Sequence, residues 1–239
     1  MYLSVVVPCY NEEKRLPETL KKIREFLNQQ SYGWEVIVVD DGSKDNTHKV
    51  TEELIKDWDN FKVISYQPNR GKGFAVKTGM LAARGDWRLL MDADNSTDLS
   101  EIEKLMKHKD DFEVIIGSRY LDKSSIKVKQ PLMRRIVSRF GNILVRVILG
   151  IKSVDTQCGF KMISSVATEK IFPLQTIDRW GFDMEILAIA IRKGYKIKEV
   201  AVDWYDDDRS TVKKSAAWKT LKELFEIKWK IMTGKYSEH

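Results

Sequence analysis

The sequence predicts an α/β fold, a mostly parallel sheet with helices on both faces. Short β-branched runs alternate with segments whose apolar residues recur at helical spacing, the pattern of parallel strands joined by crossover helices. Polar clusters directly follow the strand-like runs, where open sheets of this kind bind ligands. A length of 239 residues suits one well-buried domain, 1–239, and its 43% apolar and 32% charged residues are those of an ordinary folded chain.

Taken in order, Leu3–Val7, Glu35–Val39, Lys62–Tyr66, Trp87–Met91 and Glu113–Gly117 read as strands. The first helix is expected over Glu12–Asn28, where Leu16, Leu20, Ile23 and Leu27 share a face and Pro17 falls in the first turns, where proline is tolerated. A second helix begins after Ser43-Lys44-Asp45 and a third after Gly71-Lys72-Gly73. The second half is less regular. It offers a basic helix (Pro131–Leu149), a strand (Gly159–Ile163), a helix (Gly181–Arg192), a strand (Lys196–Val202) and a final helix (Ser215–Met232).

No apolar run approaches the roughly 20 residues that span a bilayer; the richest, Ile143–Leu149, is broken by Arg146. The N-terminus lacks the basic region and cleavage site of a secretory signal, so the expected location is cytoplasmic. Cys9 and Cys158 have no metal-ligand spacing and read as reduced thiols. A net charge of +6 favours anionic partners. Nucleic acid is argued against, because acidic clusters crowd the ligand edge and no nucleic-acid motif is present.

The chemistry rests on the residues after each strand. Asp92 and Asp94 follow an apolar strand at i and i+2 and share a face, so two hard oxygen ligands converge, as suits Mg²⁺ or Mn²⁺ completed by substrate phosphate and water. An isolated Asp-x-Asp is more often a solvated turn. Asp40-Asp41-Gly42-Ser43 ends another strand at the same edge, and two acidic clusters there would repel unless cations or ligand donors separated them, which favours a nucleotide and metal site. Gly71-Lys72-Gly73 reads equally as a phosphate loop or as a close approach of helix to sheet. The basic helix has Leu132, Ile136, Phe140, Ile143 or Leu144, and Val147 along one side. The last helix has Trp218, Leu221, Phe225, Trp229 and Met232. Each stripe alone suits core packing; together they favour peripheral contact with an anionic membrane surface.

With these pieces assembled, the chain resembles the family 2 glycosyltransferases of the Rossmann-like GT-A fold, and among them the dolichyl-phosphate glucosyl- and mannosyltransferase group. The matching runs are Val5 to Glu13, Val38 to Ser43, Asn69 to Gly73, Asp92-Ala93-Asp94, Gly117 to Tyr120, Asp155 to Lys161 and Trp180 to Glu185. The last two are closer to the glucosyl branch, which favours UDP-glucose over GDP-mannose as donor.

The resemblance implies a nucleotide-sugar-binding half over 1–120 and an acceptor half over 121–239 with C-terminal amphipathic interface helices. It implies that Pro8, Tyr10 and Glu12 line the nucleotide and that Asp40 and Asp41 meet base and ribose. Lys72 and Ala93 belong to the same donor set, and Asp92 and Asp94 hold Mg²⁺ or Mn²⁺. Arg119 meets phosphate and Arg134 or Arg135 faces the phosphate of a lipid acceptor, with Gln157 and Asp183 in the acceptor-side motifs. The implied activity is inverting hexosyl transfer to a polyprenyl or dolichyl phosphate at the cytoplasmic membrane face; alternatives are a soluble or glycan acceptor, or GDP-mannose as donor. Two positions depart from the family: Ser96 stands where mannosyl relatives often carry Gln, and Arg209-Ser210-Thr211 where a Gly-Ser-Lys motif is usual.

Overall fold

Apolar residues that run unbroken through a strand have both faces to bury, and the first two strands set the plan of the molecule. The computed structural model describes residues 1–122, 132–205 and 215–236, with side chains described everywhere among them except 132–140 and 215–218. All seven residues of β1 (Leu3–Cys9) and of β2 (Trp34–Asp40) are buried. Around them lie β3 (Phe61–Ser65), β4 (Trp87–Met91), β5 (Val114–Ser118), β6 (Phe160–Ser164) and β7 (Ile197–Ala201), in the order β3-β2-β1-β4-β6-β5-β7. Every pairing is parallel except those of β6, which runs antiparallel to β4 and to β5. That reversal matters for function: the residues leading into β6 arrive at the edge where the other strands end.

The helices are α1 (Leu16–Leu27), α2 (Thr47–Ile55), α3 (Lys72–Ala82), α4 (Ile102–Met106), α5 (Leu132–Leu149), α6 (Ser165–Ile171), α7 (Phe182–Arg192) and α8 (Ser215–Met232). Strand residues alternate between two cores, as the two-residue side-chain period requires. Val5, Val7, Val36, Val38, Leu89 and Met162 face α1, α2 and α4, where Leu16, Leu20, Ile23 and Leu27 form the predicted stripe of α1. Val6, Ile37, Val39, Leu90 and Ile163 face α3, α6 and α7, with Val145 of α5 and Leu224 and Ile227 of α8 joining that core. Gly79 makes the tightest approach of helix to sheet: a Cβ there would lie 2.4 Å from Val6 Cγ1.

At the edge away from the strand ends, Glu35 is held by Ser4 Oγ and by the Arg84 N–H, both at 2.7 Å, and by Lys62 Nζ at 3.2 Å. Burial pushes its carboxyl up, yet these three hydrogen bonds outweigh it, so the group lies below the usual carboxylate range.

The expected elements fall within a few residues of those observed, with two short helices added. Helices α4 and α6 have five and seven residues, too few for an apolar period to register. The amphipathic stripes need a sharper reading. Phe225, Trp229 and Met232 of α8 and Ile143 and Val147 of α5 are exposed, by 53% or more. The core side is instead Leu224 and Ile227 on one helix and Val145 on the other, and α5 and α8 pack on each other.

Candidate active site

The carboxyl ends of β1 and β2 are joined by side chains that follow them. Asn11, at φ 56°, donates its N–H to Ser43 Oγ at 2.9 Å and accepts from Lys44 N at 2.8 Å. The Glu12 N–H donates to Thr47 Oγ1 at 2.7 Å, while its carboxylate pairs with Arg15. Pro8 is buried and Tyr10 is 40% exposed beside this seam, with its ring available to a ligand.

Asp40 and Asp41, both buried, are satisfied by the protein itself. Asp40 accepts from Ser43 N at 3.0 Å and Ser65 Oγ at 3.2 Å. Asp41 accepts from Tyr66 OH at 2.9 Å, Asn69 Nδ2 at 2.7 Å, Arg70 N at 2.8 Å and Gly71 N at 2.9 Å. Protein donors thus carry the separation of charge that the sequence assigns to cations or ligands. Asp41 in particular anchors the turn 69–71, and little acceptor capacity is left for a nucleotide.

That turn delivers Lys72 to the end of β4. Helix α3 begins at Lys72 itself, with Gly71 at φ 116° before it. Lys72 Nζ lies 2.6 Å from Asp92 Oδ1 and 5.6 Å from the ring centre of Trp180. Burial would lower the ammonium's pKa, but Asp92, Asp183 and Asp94 outweigh it and hold Lys72 charged. Behind it, the fully buried Lys161 pairs with Asp183 and donates to the Cys158 carbonyl at 2.5 Å. Burial, countered by Lys161 and Lys72, leaves the Asp183 carboxyl raised. Asp94 accepts from Ser96 N at 3.0 Å, and burial and then the neighbouring Asp92 raise its carboxyl. Ala93 is buried, its carbonyl accepting from Thr19 Oγ1 at 2.8 Å, which fixes the backbone between the two acids.

The glycines around Lys72 do not serve approach to the sheet, which Gly79 supplies. A Cβ at Gly71 or Gly73 would lie 2.4 Å from the carbonyl of Asp178 or Ile177. Gly159 has the most severe restriction. Arriving at this edge because β6 is reversed, it faces the metal-motif acid, and a Cβ on it would lie 2.0 Å from Asp92 Oδ2.

Arg119, after β5, is gripped by Asp155. Nε meets Oδ2 at 2.7 Å, Nη2 meets Oδ1 at 2.8 Å and the Arg119 N–H meets Oδ2 at 3.0 Å. Burial alone would lower the guanidinium's pKa, but Asp155 raises it overall and is itself held below the usual carboxylate range. The Asp155 and Val154 N–H groups donate to Glu199, and the Arg119 guanidinium lies 5.4 Å from the Trp204 ring centre. Gln157 is exposed. Arg134 and Arg135 lie on α5, but their side chains fall outside the described ones, as do residues 209–211 entirely.

The structure therefore brings Lys72, Asp92, Asp94 and Asp183 into one cluster, with Tyr10, Glu12, Asp40 and Asp41 on the neighbouring strand ends. Sequence reasoning missed Lys161, Asp155 and Gly159 as individual parts. All three lie in the run Asp155 to Lys161, and their roles depend on partners 22 to 67 positions away in sequence.

Among the described residues no group of three or more His, Cys, Asp or Glu side chains forms a closed metal cage. The donor set fits a hard divalent cation of another kind, one held by one or two carboxylates and completed by phosphate oxygens and water.

A parallel sheet with one reversed strand, whose carboxyl edge gathers paired acids and a buried lysine, defines the class: a glycosyltransferase of the GT-A fold. Residues 4–172 match the profile of Glycosyl transferase family 2, and the chain belongs to that family. It is 39% identical over 95% of its length to 73% of a dolichyl-phosphate beta-glucosyltransferase of Trichomonas vaginalis. It is 38% identical over 98% of its length to 76% of the enzyme of that name in Dictyostelium discoideum, and 36% identical over 97% to 76% of that in Homo sapiens. Its fold matches glucosyl-3-phosphoglycerate synthase of Mycobacterium tuberculosis, crystallised with Mn²⁺, uridine-diphosphate-glucose and phosphoglyceric acid, with a TM-score of 0.70 at 17% identity over 95% of this chain and 80% of that one.

Proposed function

We propose that the chain transfers glucose from UDP-glucose, with inversion at the anomeric carbon, to the phosphate of a polyprenyl or dolichyl lipid, working peripherally at the cytoplasmic face of a membrane. The observation that carries the reaction type is the Lys72, Asp92 and Asp94 cluster at the carboxyl edge of the sheet. The similarity to dolichyl-phosphate beta-glucosyltransferases along nearly the whole chain supports the donor and the acceptor.

The acceptor needs no strong base, because a phosphate oxygen is ionised near neutral pH. Its attack forms the oxygen–carbon bond at the sugar's C1 while the bond from C1 to the diphosphate breaks, the electron pair leaving with the diphosphate. Asp92 and Asp94 would hold Mg²⁺ or Mn²⁺, which supplies Lewis-acid neutralisation of the departing diphosphate. Lys72, charged and 2.6 Å from Asp92, adds a fixed positive charge beside the same leaving group. Tyr10 and Glu12 border the nucleotide. Arg119, held in a fixed orientation by Asp155, presents its remaining guanidinium hydrogens to the acceptor phosphate.

No helix among the described residues is long and apolar enough to cross a membrane. The exposed Phe225, Trp229 and Met232 on α8 and Ile143 and Val147 on α5 support surface contact, with Arg146, Lys222 and Lys235 exposed among them.

The test is an assay with labelled UDP-glucose, Mn²⁺ or Mg²⁺, and polyprenyl phosphate in vesicles. Labelled lipid is expected, dependent on the cation. Absence of transfer from any common nucleotide sugar rejects the reading. Preference for GDP-mannose, or transfer to a soluble acceptor without lipid, replaces its donor or its acceptor.

A further inference from the structure

Glu185, in the first turn of α7, has no exposed surface. Its Oε2 accepts from Thr176 N at 3.0 Å and Ile177 N at 2.8 Å, and its Oε1 from Thr176 Oγ1 at 2.6 Å and Tyr236 OH at 2.7 Å. A carboxylate is retained in a core only where donors replace water, and here they come from two places: the segment before α7 and the residue that closes the turn after α8. Helix α8 adds two further ties. Lys230 Nζ donates to Thr176 Oγ1 at 2.5 Å, and Glu223 Oε2 accepts from Gly181 N, the cap residue of α7, at 2.7 Å.

The segment so held runs against the turn that carries Lys72. The Phe74 N–H donates to the Asp178 carbonyl at 3.1 Å, and Gln175 Nε2 donates to the Gly73 carbonyl at 2.9 Å. The glycines at 71 and 73 leave no room for a side chain between the two segments. From the opposite side, Asp41 binds the N–H groups of Arg70 and Gly71. Lys72 is thus clamped between an anchor at the end of β2 and an anchor built by α7 and α8.

We infer that Glu185, together with Tyr236, is a positioning residue for donor binding. It fixes residues 176–178, these fix the turn of Lys72, and the C-terminal helix is thereby part of the donor site's framework. The consequence for binding rests on the nucleotide-sugar reading; the clamp itself does not.

Tyr236→Phe removes one donor and keeps the ring. In nucleotide-free protein, hydrogen exchange at the amides of Phe74, Thr176 and Ile177 is expected to quicken about fivefold, the effect of one net hydrogen bond, with β1 and β2 unchanged. Calorimetric affinity for UDP with Mn²⁺ should weaken by a similar factor, and that loss should vanish in a Lys72→Ala background. Glu185→Gln should exceed both effects; if it does not fold, Tyr236→Phe stands alone. Unchanged exchange at Phe74 overturns the inference. So does an affinity loss of equal size with and without Lys72, which would mark general loosening. Protein that binds no nucleotide at all counts against the proposed function, and the exchange measurement still decides the positioning role.

Discussion

Replacing Gly159 by alanine puts a methyl group where Asp92 already stands. The new Cβ would lie 2.0 Å from Oδ2, 2.3 Å from Cγ and 2.6 Å from Oδ1, so no rotation of the carboxylate in place relieves the contact. Restoring a separation of 3.4 Å from Oδ2 requires a displacement of about 1.4 Å. A shift of that size in Asp92 breaks its 2.6 Å contact with Lys72 and carries one of the two carboxylates proposed to hold the cation out of place. Misplacement by about 1 Å at a reacting centre costs on the order of 100-fold in rate. Overpacking costs about 1–3 kcal/mol of stability, and at this chain length each kcal/mol lowers the melting temperature by about 2–4 °C. Gly159→Ala should therefore remain folded, lose a few degrees of melting temperature, and lose about 100-fold in turnover with weakened Mn²⁺–UDP binding by calorimetry. A variant with cation and nucleotide affinity within about twofold of the unmodified protein would refute the reasoning, because Asp92 would then tolerate displacement or take no part in binding.

Gly141→Ala on α5 is the opposite case: among the described residues nothing lies within 4 Å of its Cβ, so relief of backbone entropy should stabilise by about 0.5–1 kcal/mol, measured by urea unfolding. For Glu35→Gln the sign follows from a folded pKa below the unfolded value of about 4.3, so the carboxylate's contribution is present above that pH and lost as pH falls through the folded value. The variant should be less stable by about 1–3 kcal/mol at pH 7, with the gap closing at acid pH; a gap of constant size would refute the assignment. Trp229→Glu, at a 53% exposed position, should change stability by no more than about 0.5 kcal/mol yet reduce binding to anionic vesicles about tenfold or more, read by co-sedimentation. Undiminished vesicle binding by Trp229→Glu combined with Phe225→Glu would remove this face as the membrane contact.

The fold was legible where burial leaves a local trace. Strands β1 and β2 are apolar on both faces, α1 carries a clean stripe, and the polar residues after β1, β2, β4 and β5 stand out against them. Strand direction leaves no such trace, and an apolar run such as Phe160-Lys161-Met162-Ile163 reads the same whether it runs with or against its neighbours. The reversed β6 therefore hid why Gly159 and Asp155 belong to the site. Long-range pairings were equally silent: Lys72 meets Asp92, Lys161 meets Asp183, and Arg119 meets Asp155, each across 20 or more residues. The stripes of α5 and α8 show a different limit. Spacing identifies which residues share a helical face, but each of these helices has apolar residues on two faces, and only packing decides which one is left to solvent.

The charges of the site also form a sequence in space that no single motif contains. Lys161 pairs with Asp183, Asp183 lies within electrostatic reach of Lys72, and Lys72 pairs with Asp92, which in turn faces Asp94. Each charge but the last has an opposite neighbour. Asp94 accepts the Ser96 N–H and makes no ion pair among the described residues, and burial first, then the neighbouring Asp92, raises its carboxyl. Half-buried charges of one sign are tolerated when compensated, so on the proposed reading a cation placed beside Asp92 and Asp94 would add the opposite charge that ends the line. In the proposed reaction, a donor arriving with a divalent ion would supply it. Charge completion at Asp94 would then favour joint binding of cation and diphosphate over binding of either alone, a consequence of the proposed function that the Asp-Ala-Asp spacing does not carry by itself.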